Sequence, residues 1–294
     1  MKYFYLFLLF IVPFGGYTQD LEDSLNEEDE EIDFTMSTFK TTRLINGHTN
    51  EHDAKGVLNF RISHRFGPPD TENAAYNFFG MDNANIRLGF EYGLSNRIMI
   101  GLGRTKEPGK TIDAFGKIKL LRQSKGARKM PISVSYFTSM VANTLRPEAM
   151  GWPEEHDNSG AHRMSYTHQL IITKKFNHNL SLLLSPTLVH RNLKLASEES
   201  NDILAVGMGG RYMISGSTSI NVEYYMASDL ADGYYNSFAI GVDIETGGHV
   251  FQLHLTNSVG MTEPDFITRT NTPFDGTGIR FGFNLSRVFN VNTK

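Results

Sequence analysis

Two histidines and a glutamate, His48, Glu51 and His52, form the first pattern that could do chemistry. Their spacing is H-x-x-E-H, the inverted zinc-peptidase pattern, in which the histidines bind zinc and the glutamate acts as base. That mechanism needs both histidines on one face of a stable helix and a third ligand elsewhere. Gly47 and Gly56 leave room for about two helical turns at most. We therefore interpret the stretch as a polar loop, with metal binding by the two histidines as an alternative, and predict no cofactor.

A second pattern, EHDNSG at 155–160, contains His156 and Ser159 and superficially resembles the catalytic residues of outer-membrane lipid hydrolases. The order of residues differs, and the position ten beyond His156 is Tyr166 rather than a nucleophilic serine. A serine hydrolase also needs its histidine within hydrogen-bonding reach of the nucleophile. We predict that the protein has no catalytic residues and is not an enzyme.

The third pattern consists of charged residues at alternate positions of extended segments, where neighbouring positions are apolar. In a closed sheet these side chains would point inward, and we predict that they line a lumen. Basic residues gather at one side of that lumen and most acids at the other, so they either pair and plug it or line a selective constriction. The predicted lumen residues are Arg61, Arg65, Arg87, Glu91, Lys117, Lys119, Arg211, Glu223, Asp243, Glu245, His254 and Arg280. Because the first and last strands of a barrel are neighbours, Arg61 and Arg280 are expected to form one basic patch.

The segment 278–289 shows most clearly which element must position these residues. Its apolar and polar side chains alternate, from Ile279 to Phe289, with the period of two that is typical of a β-strand. Glycine, serine, asparagine and arginine occupy the other parity. An apolar outer face combined with a polar inner face is what a transmembrane β-barrel requires. An aromatic-ended last strand also fits the signal by which the barrel-assembly machinery recognises its substrates.

Similar alternation recurs along the chain, with segment lengths that suit strands crossing a bilayer. The predicted strands are 57–66, 85–93, 97–104, 111–121, 131–141, 163–174, 179–190, 203–213, 218–226, 236–245, 249–257 and 278–289. Short connections such as 93–96 and 215–217 alternate with long ones such as 142–162 and 258–277, as periplasmic turns alternate with outer loops. We predict an all-β fold: a transmembrane, antiparallel, up-and-down β-barrel of about 12 strands.

Four stretches resemble a family of outer-membrane β-barrels of unknown function from Bacteroidota. They are Thr42–His48, Lys55–Gly67, Phe78–Arg104 and Lys117–Gln123. The resemblance implies an outer-membrane location and a barrel fold, and it carries no activity with it.

The region before the barrel divides into a signal peptide at 1–19 and, at 20–55, an acidic periplasmic N-terminal segment with a periplasmic or lumenal lead-in; the barrel then occupies 56–294. Lys2 and the apolar run that follows are typical of a secretory signal. Nine acidic and no basic residues lie between Asp20 and Asp33, which indicates a solvated tail or a docking tail for a basic partner. The sequence has no cysteine, so thiolate metal sites, disulfides and cysteine nucleophiles are excluded.

Two function classes remain open. The first is a narrow passive channel for small polar or anionic solutes, which the lumen charges favour. The second is a non-enzymatic structural or scaffold barrel that binds periplasmic or surface proteins through its acidic tail and outer loops. The expected partners are outer-membrane lipid, the assembly machinery and such a protein. No glycine-rich loop opens a helix, and nucleic-acid binding has no support.

Overall fold

A computed structural model of the chain describes residues 31–69, 75–106, 109–146, 149, 160–193, 200–275 and 278–291. Within these ranges the chain forms fourteen strands and one short α-helix, α1 (Glu263–Thr268). No helix among the described residues is long and apolar enough to cross a membrane. The predicted signal peptide, most of the acidic tail, and His156 and Ser159 lie outside the described residues.

Twelve of the strands close into one antiparallel barrel in which consecutive barrel strands are neighbours and the last pairs with the first. The barrel strands are β2 (Val57–Phe66), β3 (Ala84–Gly93), β4 (Ile98–Thr105), β5 (Thr111–Leu121), β7 (Ser133–Asn143), β8 (Met164–Lys175), β9 (Leu180–Arg191), β10 (Asp202–Met213), β11 (Thr218–Ala227), β12 (Ser237–Thr246), β13 (His249–Thr256) and β14 (Arg280–Asn290). The predicted fold class is confirmed, and each predicted strand differs from the observed one by at most two residues at either end.

The remaining two strands, β1 (Ile32–Phe34) and β6 (Ser124–Gly126), form a small antiparallel ribbon at the rim that also carries the short turns. The guanidinium of Arg122 lies 4.0 Å from the ring centre of Phe34 and holds this ribbon against the barrel. The chain therefore reaches the barrel at the short-turn rim, before the first barrel strand begins.

The outer face of the barrel is apolar because the strands keep their period of two. Large side chains such as Leu88, Leu102 and Leu204 are 46%, 61% and 63% exposed on that face. The opposite parity is buried and largely polar or charged. This is the arrangement of a barrel that faces lipid outside and encloses polar groups inside.

Candidate functional site: a lumen closed by two segments

Residues 38–53 fold back into the barrel from the short-turn rim, and we call them the lumen segment. They form a tight hairpin in which Leu44 N donates to Gly47 O (2.8 Å) and Thr49 N donates to Thr42 O (2.9 Å). The Asn46–Gly47 pair suits this turn, because both residue types are common where the chain reverses. Of the two positions expected for the lead-in, periplasmic or lumenal, residues 38–53 take the lumenal one.

The tip of this hairpin is held by one wall carboxylate, that of Glu223 on β11. Three consecutive backbone N–H groups donate to it: Ile45 at 3.1 Å, Asn46 at 2.8 Å and Gly47 at 3.2 Å. A side chain at position 47 would overlap the hydroxyl of Tyr225, so only glycine fits against the wall here. The buried carboxylate is thus satisfied by backbone donors of the lumen segment.

The legs of the hairpin are held by a wall lysine, Lys117 on β5. Its ammonium donates to the backbone oxygens of Glu51 (2.6 Å), Thr49 (2.9 Å) and Thr42 (3.4 Å). An ammonium has three protons, so these three carbonyls use its full donor capacity. Lys117 is fully buried, and its charge is met by neutral oxygens of the lumen segment.

Two wall arginines complete the polar side of this contact. Arg65 donates to Asn46 Oδ1 (2.7 Å) and Asn284 Oδ1 (3.1 Å). Arg61 donates to Thr42 Oγ1 (3.1 Å), whose own hydroxyl donates to Glu91 (2.5 Å). The lumen segment therefore inserts between basic and acidic wall residues, and it bonds to both.

The other side of the lumen segment packs against an apolar part of the inner wall. Phe39 and Leu44 join Met99, Phe115, Phe137, Ile171 and Leu183 in one buried cluster. The ring of His48 lies between Phe115 and Phe137, with centroid distances of 4.6 and 4.3 Å. Burial, with Arg43 and Lys117 nearby, lowers the pKa of His48 well below its usual value, so the imidazole is neutral.

A second insertion enters from the opposite, long-loop rim: residues 258–270, which we call the lumen loop. It contains α1, whose Phe266 and Ile267 are fully buried against Val189, Ala205 and Tyr225. The rings of Phe266 and Tyr225 meet edge to face at 5.0 Å. Arg191 on β9 fixes the helix by donating to Pro264 O (3.0 Å) and to the Thr268 hydroxyl. Apolar packing is the main anchor of this loop.

The two insertions meet inside the barrel through Glu263. Its Oε1 accepts a hydrogen bond from Arg43 Nη1 (3.0 Å) and lies 3.6 Å from His48 Nε2. All three side chains are buried. Burial raises the pKa of Glu263 above its usual value, while the nearby Arg43 acts in the opposite direction. The lumen is therefore closed by two segments in series, and one buried ion pair joins them.

The structure buries ten of the twelve predicted lumen residues and leaves two at the short-turn rim. Lys119 is half-buried, and the side chain of Glu245 is 51% exposed, where it pairs with Lys40 Nζ (2.8 Å). The buried ten are Arg61, Arg65, Arg87, Glu91, Lys117, Arg211, Glu223, Asp243, His254 and Arg280.

The charge pairs differ from the cross-lumen pairs that the sequence suggested. Arg87 forms a two-point ion pair with Asp113 (3.0 and 2.5 Å), a residue on the inward parity of β5 that the sequence analysis overlooked. Arg280 contacts Thr272 Oγ1 (3.4 Å). Arg61 lies opposite Ser286 in the register of β14, six residues from Arg280, so the two arginines do not form one patch. The lumen segment stands between the basic and acidic walls, which is why those walls do not pair directly.

The zinc-peptidase pattern finds no structural support. His48 and His52 lie in the lumen segment, which is not helical, and His52 Nδ1 contacts Asn50 O at 3.0 Å. Among the described residues, no group of three His, Cys, Asp or Glu side chains could hold a metal ion. His156 and Ser159 belong to the part of the chain that the structure does not describe.

A closed antiparallel barrel with an apolar outer face and a polar interior is the architecture of an outer-membrane protein. A family model described as a membrane-bound β-barrel domain (DUF5777) matches residues 39–289. The chain belongs to this family, and it resides in the outer membrane. The match begins at Phe39, so it includes the lumen segment.

Several solved outer-membrane barrels share the general architecture at low sequence identity. The NanC porin has a TM-score of 0.49 at 9% identity, covering 79% of this chain and 98% of its own. The KdgM porin gives 0.49 at 9%, with 79% and 99% covered. An outer-membrane channel from Pseudomonas putida F1 gives 0.47 at 12%, with 82% and 97% covered. No curated protein matches the sequence.

Proposed function

We propose that this protein is a passive outer-membrane channel for small polar or anionic solutes, held shut by the lumen segment and the lumen loop. The observation that carries the proposal is the chemistry of the plug contacts. Arg65 and Lys117 donate to neutral oxygens of the lumen segment, and Glu223 accepts from its backbone. Water or solute could replace each of these partners when the segment withdraws, so a polar and charged passage would remain.

Withdrawal of the lumen segment would also release the lumen loop. Arg43 leaves with the segment, and Glu263 is then a buried carboxylate without its cation. Removing one partner of a buried ion pair is strongly destabilising, by about 3–5 kcal/mol. Because of the Arg43–Glu263 pair, withdrawal of the lumen segment at the short-turn side would also displace the lumen loop at the long-loop side.

Anion preference is expected because two wall cations, Arg65 and Lys117, lose neutral partners on opening, against one wall carboxylate, Glu223, that loses its backbone donors. In the open state these groups would face the passage with their charge uncompensated.

The origin in Bacteroidota and insertion by the barrel-assembly machinery stay predictions.

The test is planar-bilayer recording in a salt gradient, comparing the native protein with a variant that lacks residues 38–53. The native protein should be almost silent, whereas the shortened variant should conduct with a reversal potential on the anion side. Adding Lys117→Gln and Arg65→Gln should move that potential toward cations. A fully assembled shortened variant that stays silent would contradict the channel and favour the alternative, a scaffold barrel that binds partner proteins.

A further inference from the structure

Pro186 lies in the middle of the wall strand β9, a position that proline rarely occupies in a paired strand. The ladder between β8 and β9 pairs Gln169 with Thr187 and resumes only at Ile172 with Leu184. Proline has no N–H to donate, whereas the pairing of Pro186 with Val206 on β10 is unbroken. Backbone groups in the hydrocarbon region must form their hydrogen bonds within the protein, so a proline in the middle of the wall costs stability.

A groove of about 820 Å³ lies on the wall at this break. Its volume falls in the range of pockets that hold drug-sized ligands. The side chains around it are mostly apolar, and the principal ones are Leu170, Pro186, Leu188, Leu204, Val206 and Met226. The groove opens on the apolar outer face, so its occupant must come from the lipid phase.

One edge of the groove is polar, although a surface that contacts only the acyl chains of bilayer lipids would need no polar group. His168 and Tyr136 both line the groove, and the Tyr136 hydroxyl lies 2.7 Å from His168 Nδ1. Thr138 Oγ1 lies 3.2 Å from the same nitrogen. When Nδ1 accepts a hydrogen bond from the Tyr136 hydroxyl, the ring N–H is on Nε2 and can be donated to a ligand.

His168 is exposed on the outer face of the barrel rather than inside the lumen. It is the fifth residue of β8 from the long-loop rim, about 13 Å along the tilted strand. An ionisable side chain on the face that contacts lipid commonly marks a functional site. A ligand that carries its own polar group could bond to His168 there.

We propose that the groove at Pro186 binds a single-chain amphiphile from the outer leaflet, with its alkyl chain along Leu188, Leu204 and Val206 and its terminal carboxylate on His168 Nε2. The groove offers an apolar surface for an alkyl chain and, at its edge, a hydrogen-bond donor for a carboxylate. These two features fit one fatty-acid-like molecule. This site is separate from the lumen and does not depend on conduction by the barrel.

The experiment uses the full-length protein in phospholipid nanodiscs with a diazirine-bearing palmitic acid as probe, and maps the crosslinks by mass spectrometry. Crosslinks should concentrate on β9 to β11 at the groove, and excess unlabelled palmitate should suppress them. Val206→Trp and, independently, Leu204→Trp should fill the groove and lower crosslinking by about tenfold or more. Leu102→Trp, on the outer face of β4, is the matched control and should leave the signal unchanged.

His168→Phe separates the two ends of the site. It should weaken competition by palmitate while leaving competition by hexadecane, which has no carboxylate, at its native level. Heat-dependent gel mobility verifies that every variant is folded. Crosslinks spread evenly around the outer face, or resistant to excess palmitate, would mean that bilayer lipid alone fills the groove and would overturn the proposal. Unchanged crosslinking in both folded tryptophan variants would overturn it as well.

Discussion

The two segments that close the lumen are held by different physical forces. The lumen segment is tied by hydrogen bonds and charge, with Glu223 at its turn and Lys117 at its legs, and in addition by burial of Phe39 and Leu44. The lumen loop is tied mainly by burial of Phe266 and Ile267. Hydrogen bonds to buried partners can be exchanged for water at small net cost, whereas apolar surface returned to water loses its full transfer free energy. In the proposed channel we therefore expect the lumen segment to move more readily than the lumen loop.

The largest effect is expected from Gly47→Val, which should expel the tip of the lumen segment. The new side chain would overlap Tyr225, and Glu223 would lose its three backbone donors before water can replace them; overpacking and the unsatisfied carboxylate together cost about 2–6 kcal/mol. Conductance should appear, and the thermal midpoint should fall. Gly216→Ala is the control, because nothing lies within 4 Å of the added atom. A silent Gly47→Val protein with a native midpoint would show that the tip contact is unimportant.

Phe266→Ala should destabilise the lumen loop by about 3–5 kcal/mol through the loss of a fully buried aromatic ring. Hydrogen exchange of residues 258–270 should rise, while the lumen segment keeps its protection and conductance stays low. Phe274→Ala in the same connection should cost less, because that ring is 44% exposed. Equal exchange in both variants would argue against apolar anchoring of the loop.

Lys117→Met tests whether the legs of the lumen segment depend on one ammonium. The substitution keeps an unbranched side chain but leaves three carbonyl oxygens without their donor, for about 1–3 kcal/mol. Brief openings should become frequent in single-channel records. Lys125→Met, at an exposed position of β6, should behave like the native protein. An unchanged opening frequency in Lys117→Met would show that the ammonium does not hold the legs of the lumen segment.

The smallest effect is a dependence on pH that arises from Asp53. Burial, and next the nearby Glu91, raise the pKa of Asp53 to about 7, against the weaker pull of Lys117, Arg61 and the hydrogen bond from Asn59. In the withdrawn, solvated segment the carboxyl titrates at its ordinary value, so the inserted state binds more protons between pH 4 and pH 7. Insertion is therefore weakened as pH rises through that window.

Recordings at pH 5 and pH 8 should show more openings at pH 8. Asp53→Asn removes the ionisable group and should flatten the difference, since the amide stays neutral at both values. A pH response that persists undiminished in Asp53→Asn would assign it to another group.

The sequence predicts those parts of the structure in which apolar and polar residues alternate regularly. The barrel strands could be predicted because each repeats its apolar parity over about ten residues, and Asp113 would have been found by the same parity. The lumen segment has no such period, and its partners are distant: Arg43 and Glu263 are 220 residues apart. Such contacts follow from the closed barrel rather than from any local pattern, so the hairpin was predicted only as a polar loop.

The central claim is that withdrawal of the lumen segment opens the barrel by depriving Glu263 of Arg43. The most direct test records the variant lacking residues 38–53 with and without Glu263→Gln in planar bilayers. The neutral amide needs no cation, so the lumen loop should stay seated and conductance should fall well below that of the shortened variant alone. Equal conductance in the two assembled proteins would contradict the coupling of the two segments.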